Sequence, residues 1–179
     1  SDGKAVTAGD FVFAWNRAAS PALAADYNYM FDVVKGYAER WETAEDGETL
    51  KNPDAKLAVE ATDDLTLVVT LNNAVSYWNE LLAFPTYFPV HASCFENEAW
   101  ATDPSTYISN GAYKMTGWEH NSVITLTKNE NYHDADAVTM NEVKCFLSDD
   151  SNNMLTNFKN GTWQLIDDVP TNEIATPKV

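Results

Sequence analysis

Apolar residues recur near the start of the chain at the spacing of a helix face. Phe11, Ala14, Trp15 and Ala18 fall three and four apart, which sets them on one side of a 3.6-residue turn. Thr7 and Asp10 stand ahead of them as a capping box, with Asp in place of the usual Glu. Ser20-Pro21 closes the pattern, because the residue before a proline avoids helical geometry. An aromatic-rich segment follows through Tyr27, Tyr29, Met30, Phe31, Val33 and Val34, ending at Gly36. Residues 37–54 are polar and acidic and read as an exposed excursion.

A period of two then takes over. Residues 57–61 and 65–71 flank Thr62-Asp63-Asp64, and Leu65, Leu67, Val69 and Leu71 alternate onto one face, which predicts a hairpin with a half-buried second strand. Tyr77, Trp78, Leu81 and Leu82 return to helical spacing and stop before Phe84-Pro85. Residues 84–90 contain Pro85 and Pro89 and no periodicity, so a rigid extended crossing between subdomains is expected there. Beyond it lie a second hairpin, 112–118 with 122–128 around Glu119-His120-Asn121, and a third strand at 142–147. Asp149-Asp150-Ser151 caps a short helix carrying Met154, Leu155 and Phe158, with Gly161 as its stop. A last strand is expected at 163–166, before Asp167-Asp168-Val169-Pro170. Strands and helices mix without a βαβ beat, so the fold class is α+β (mixed α/β).

Charge narrows the partners. Against 11 Lys and Arg stand 27 Asp and Glu, a net charge of −16. Such a surface repels phosphate backbones, which excludes nucleic acid as a partner. Solubility accounts for the acidity; a surface favouring cationic ligands is the competing reading. No apolar run approaches the ~20 residues that span a bilayer, and the chain reads as soluble. Cys94 and Cys145 fit neither a disulfide scaffold nor a zinc site. Cys145 alternates with Val143 and Leu147, which predicts a buried thiol, while spacing alone leaves a Cys94–Cys145 disulfide open.

Catalytic and cofactor motifs do not emerge. The 7 Gly form neither a dinucleotide fingerprint nor a Walker loop. His91, His120 and His133 are far apart, and His133-Asp134-Ala135-Asp136 reads as a surface turn and not a metal site. Asp63/Asp64 has a turn to form and Asp149/Asp150 a helix to cap. Only Asp167/Asp168 lacks a local structural role. No catalytic residue, metal or cofactor is therefore expected; a carboxylate-dependent hydrolase using Asp167 or Asp168 is the enzyme alternative, and an acidic module docking a basic partner the third.

Several blocks taken together resemble one family. Residues 1–15, Ser-Asp-Gly-Lys-Ala-Val-Thr-Ala-Gly-Asp-Phe-Val-Phe-Ala-Trp, are similar to the SDGKPVTAxDFVYSW stretch of the extracytoplasmic solute-binding proteins of oligopeptide and dipeptide ABC importers (family 5 type). The resemblance continues through 58–67, Leu81-Leu82-Ala83-Phe84-Pro85, Ser109-Asn110-Gly111-Ala112-Tyr113-Lys114, Lys128-Asn129-Glu130-Asn131-Tyr132 and Asp168-Val169-Pro170, in the family's order. Ala5 and Glu130 stand where proline is common, and His133 where tryptophan is usual.

The resemblance implies part of a two-lobed periplasmic-binding-protein type II architecture, with the second lobe absent. Residues 1–91 would be most of a small extra subdomain and 92–179 part of the first ligand-binding lobe, so the chain is expected to be an internal fragment. It also implies an oligopeptide ligand, ABC permease membrane subunits as partners of the full-length protein, and a periplasmic or lipid-anchored extracytoplasmic location. A dipeptide, metal chelate or oligosaccharide remains an alternative solute. Tyr27 matches a family tyrosine near the peptide amino terminus, although Tyr27, Tyr29 and Phe31 also suit packing on a helix face. Asp167 and Asp168 match a polar pair close to bound peptide.

Overall fold

The computed structural model describes residues 2–97 and 99–174, with the side chains at 94 and 96 outside that description. The chain forms two compact units, Ser1–Ala101 and Thr102–Val179.

In the first unit, helix α1 (Ala8–Ala18) begins where the sequence predicts. The Thr7 N–H and hydroxyl both donate to Asp10 Oδ2, at 2.8 and 3.1 Å. Ala14 and Trp15 bury the predicted face. Trp15 is the hub of an aromatic core: its ring meets Tyr87 at 5.1 Å, Phe31 at 5.9 Å and Trp78 at 6.2 Å, two of these edge-on. Edge-on contacts add to the area term because the positive ring edge meets a negative face. Trp15 Nε1 donates to the Tyr87 carbonyl at 2.8 Å, so the indole is buried without an orphan donor.

Within residues 84–90 Tyr87 is core, with Phe84 and Val90 packed against it, so the segment belongs to the first unit and is not a crossing between bodies. Pro85 starts a 3₁₀ turn, Pro85–Tyr87, that drives Tyr87 inward to 1 % exposure. The units divide further along, between Ala101 and Thr102.

The aromatic segment folds as a 3₁₀ turn, Asn28–Phe31, and a bridge from Val34 to Leu71. Gly36 (φ +95°) follows; a Cβ there would lie 2.3 Å from the Lys56 carbonyl oxygen, so only glycine lets these backbones pass. The excursion after it is more structured than its polarity suggests. It contains helix α2 (Tyr37–Trp41), a bridge between Thr43 and Leu50, and the buried Arg40. Arg40 donates to the carbonyls of Asn16 (2.9 Å), Ala19 (3.3 Å) and Ala55 (2.7 Å) and to Asn16 Oδ1 (3.0 Å). A cation thus satisfies the C-terminal carbonyls of α1, where the helix dipole is negative.

Strands β1 (Val59–Asp63) and β2 (Thr66–Val69) make the first hairpin. Asp63 forms its turn, accepting the Leu65 N–H at 2.8 Å. Leu65 belongs to that turn and is 90 % exposed, so the buried alternation starts only at Leu67. Helix α3 (Trp78–Leu82) completes the unit.

In the second unit β3 (Tyr113–Glu119), β4 (Val123–Lys128) and β5 (Glu142–Phe146) form an antiparallel meander in the order β3-β4-β5. Asn121 takes the left-handed position of the tight turn at φ +60°. Helix α4 (Ser151–Lys159) is capped by Asp150, whose Oδ1 accepts the N–H groups of Asn152 and Asn153 at 3.0 and 3.1 Å. Helix α5 (Thr171–Ile174) ends the described part.

Two expectations fail here. Cys145 is an exposed free thiol, because β5 pairs only with β4 and no described element covers its Cys145 side; Cys94's side chain lies outside the described residues. No strand forms at 163–166: Trp163 instead stacks on Phe146 at 5.1 Å and 11°, and Leu165 is left 85 % exposed.

Candidate ligand-binding surfaces

Tyr27 lies in the first unit, just after a tight turn in which Leu23 and Ala24 donate to the Ser20 carbonyl. That turn, with Ala24 at φ +49°, reverses the chain after α1 and presents Tyr27 at the start of the 3₁₀ turn. The structure separates the three aromatic positions that helix packing would have grouped. Phe31 is fully buried, whereas Tyr27 and Tyr29 are 50 % and 56 % exposed. Tyr27 rests on Phe84 (5.1 Å between centroids) beside Tyr29 (6.1 Å), and its hydroxyl has no partner among the described residues. A ring held by packing with its hydroxyl in solvent is equipped to hydrogen-bond a ligand with little loss of side-chain freedom.

Asp167 and Asp168 lie in the second unit, on the irregular segment before the buried Pro170. Both are exposed. Asp168 Oδ1 accepts the Val169 N–H at 2.8 Å, which fixes its rotamer, while Asp167 has no partner among the described residues. The pair and Tyr27 thus belong to different units. The described residues contain no group of three or more His, Cys, Asp and Glu that could hold a metal ion. His120 is exposed and stacks on Trp118 at 4.7 Å, and His133 is exposed beside Tyr132.

The first unit also holds an open cavity of about 870 Å³ that sequence reading did not anticipate. It is lined by a second stripe on α1, with Gly9, Val12, Phe13, Asn16 and Arg17 at helical spacing, by Ser20 just past the helix, and by Val59, Leu23 and Phe95. Its helical spacing is a signal a sequence can carry, but a stripe that includes Asn16 and Arg17 has the composition of a solvated face.

The chain belongs to the bacterial extracellular solute-binding proteins, family 5; the model of that family's middle region matches residues 1–179. It is 37 % identical over 184 residues to the oligopeptide-binding protein OppA of Bacillus subtilis, covering 99 % of this chain and 32 % of the relative. To the dipeptide-binding protein DppE of the same organism it is 33 % identical over 162 residues, covering 90 % and 28 %. Among solved structures, Listeria monocytogenes OppA bound to peptide matches with TM-score 0.73 and 31 % identity, over 88 % of this chain and 30 % of that one. Haemophilus influenzae OppA in complex with RPPGFSPFR matches with TM-score 0.80 and 27 % identity, over 96 % and 33 %. The chain spans about a third of the length of these relatives, and its fold is a corresponding part of their two-lobed architecture. No described helix is long and apolar enough to cross a membrane.

Proposed function

We propose that the chain is part of an extracytoplasmic peptide-binding component of an ABC importer, one that captures oligopeptides and hands them to membrane permease subunits. The observation that carries this reading is the similarity to a peptide-bound OppA over 88 % of the chain. In this reading residues 1–91, all within the first unit, are most of the small extra subdomain, and 92–179, which begin in the last ten residues of that unit and run through the second, are part of the first ligand-binding lobe. The parent protein resides in the periplasm or is lipid-anchored on the outer face of the membrane. In this reading it binds and does not catalyse.

Tyr27, Asp167 and Asp168 are the ligand-side residues. Tyr27 offers a hydroxyl to the peptide's amino-terminal part, and the carboxylates offer acceptors for peptide N–H groups or its ammonium. Similarity to DppE supports a second reading, a dipeptide ligand, which differs only in how much of the cleft is filled.

Calorimetry of the parent protein against peptides of two to five residues tests both readings. Micromolar or tighter binding is expected, weakened several-fold by Tyr27→Phe and by Asp168→Asn. A parent protein that binds none of these peptides would overturn the proposal. The 179-residue chain alone should bind them weakly, and sub-micromolar affinity would show that the cleft needs nothing beyond these residues.

A further inference from the structure

Between Ala25 and Val34 the backbone closes a run of hydrogen bonds three residues apart. Asn28 donates to Ala25, Met30 to Tyr27, Asp32 to Tyr29 and Val34 to Phe31, all at 2.9–3.1 Å. In such a run side chains three apart eclipse, and each residue rises about 2 Å. Asp26, Tyr29 and Asp32 therefore form one row, with about 6 Å between neighbours. All three are exposed. Phe31 and Val34, spaced in the same way, are fully buried and hold another side of the run against the core.

Tyr27 stands beside this row. Its ring lies 6.1 Å from that of Tyr29 at an angle of 42°, and Phe84 backs it at 5.1 Å. Two half-exposed phenol rings are thus held in place with part of their π surface in solvent. Asn72 bonds Asp32 through the backbone carbonyl, which leaves the carboxylate outside that contact. Neither Asp26 nor Asp32 makes an ion pair among the described residues. Lys35, the cation nearest in sequence, lies beyond the bridge from Val34 to Leu71 that ends the run, and it pairs with neither.

We infer that this aromatic shelf selects a cationic side chain, arginine before lysine, in the bound peptide. The charged head lies on the Tyr29 and Tyr27 rings, whose faces attract a cation, and Asp26 and Asp32 supply the counter-charge on either side. Arginine is favoured because its plane stacks on a ring while its donor fork meets a carboxylate. An acidic side chain is repelled here, and an aliphatic one gains only ring contact. The net charge of −16 thus has a local use as well as a general one. This inference rests on the peptide-binding reading and adds Asp26, Tyr29 and Asp32 to Tyr27 as residues that set ligand preference.

Calorimetry of the parent protein against alanine tetrapeptides carrying one arginine, norleucine or glutamate at each position in turn tests it. At one position arginine should bind at least threefold more tightly than norleucine, the scale of exposed cation–π and ion-pair contacts, and glutamate more weakly than both. The advantage should shrink in high salt. Tyr29→Leu and the double variant Asp26→Asn/Asp32→Asn should each bring the arginine-to-norleucine ratio at that position below twofold. Because the ratio is taken within one protein, a general loss of affinity or of folded material cancels. Peptide binding with a ratio below threefold at every position, or a ratio that both variants leave unchanged, would overturn this inference and leave the peptide-binding reading standing. Binding of none of the peptides would overturn both.

Discussion

Replacing Arg40 with methionine removes the one buried guanidinium of the first unit while keeping a long apolar side chain. Three of its hydrogen bonds are 3.0 Å or shorter, to the Asn16 carbonyl, Asn16 Oδ1 and the Ala55 carbonyl. Bonds from a charged donor contribute about 1.5–3 kcal/mol each, which would give roughly 5–9 kcal/mol if nothing opposed them. Methionine also avoids the cost of desolvating a cation, which offsets much of that sum. The Asn16 and Ala55 acceptors, however, stay part-buried and lose their donor. The net loss expected is about 2–4 kcal/mol, a fall of roughly 10–25 °C in the melting temperature of a unit this size. Arg40→Lys should lose about half as much, because one ammonium cannot span the same acceptors. Hydrogen exchange on the whole chain reads this locally. Amides of the last turn of α1, Ala19 and Ser20, should exchange 30-fold or more faster, with second-unit amides as the internal reference. A loss below about 1 kcal/mol, or exchange that rises equally everywhere, would refute Arg40 as the clamp on that helix end.

Three further outcomes follow from the geometry. Gly36→Ala should cost at least about 3 kcal/mol in urea unfolding, against about 1 kcal/mol for Gly47→Ala, which shares the left-handed φ but meets nothing within 4 Å; equal losses would show that the Lys56 carbonyl yields freely. Asp46 accepts the Thr49 hydroxyl and the N–H groups of Thr49 and Glu48, and these bonds, the hydroxyl's first, hold its carboxyl down at about 2. Its folded pKa lies below the unfolded value, so the turn's contribution is whole above about pH 4 and lost as pH falls towards 2; an NMR titration midpoint near 4 would sink this. Burial, with smaller contributions from Asp32 and Tyr77, raises the Tyr87 phenol well above its ordinary value. Its contribution is therefore complete below about pH 10 and declines above it, and Tyr87→Phe should flatten that alkaline decline; an unchanged slope would show that another group causes it.

Much of this fold was readable because its signals are local. The capping box at Thr7 and Asp10, the Asp63 turn, the Asn121 turn and the Asp150 cap each lie within a few residues of the backbone they satisfy. What was misread depends on distant partners. Arg40 sits in a polar run that looks solvated, and its acceptors at Asn16 and Ala19 lie 24 and 21 residues away. Tyr87 sits between two prolines that suggest a connector, yet its carbonyl meets Trp15. Cys145 alternates as if one side of β5 were covered, but alternation reports a strand's two faces and not whether anything packs on either. The candidate ligand residues were named through resemblance. The residues around Arg17 escaped because a stripe holding one charge reads like any solvated helix face.

The bond from Trp15 to the Tyr87 carbonyl joins residues 72 positions apart, whereas β3 meets β4 across a turn at Asn121. Loop closure must precede the reward of contact, so the two units should form on different timescales. The meander can nucleate as soon as its own hairpin is made. The first unit has to wait for the 3₁₀ turn around Tyr87 before its tryptophan hub can close. On a ribosome, more than four-fifths of that unit would already have emerged before Tyr87 could join Trp15, Phe31 and Trp78. The hub that makes the mature unit rigid is thus also its longest period of vulnerability to misassociation.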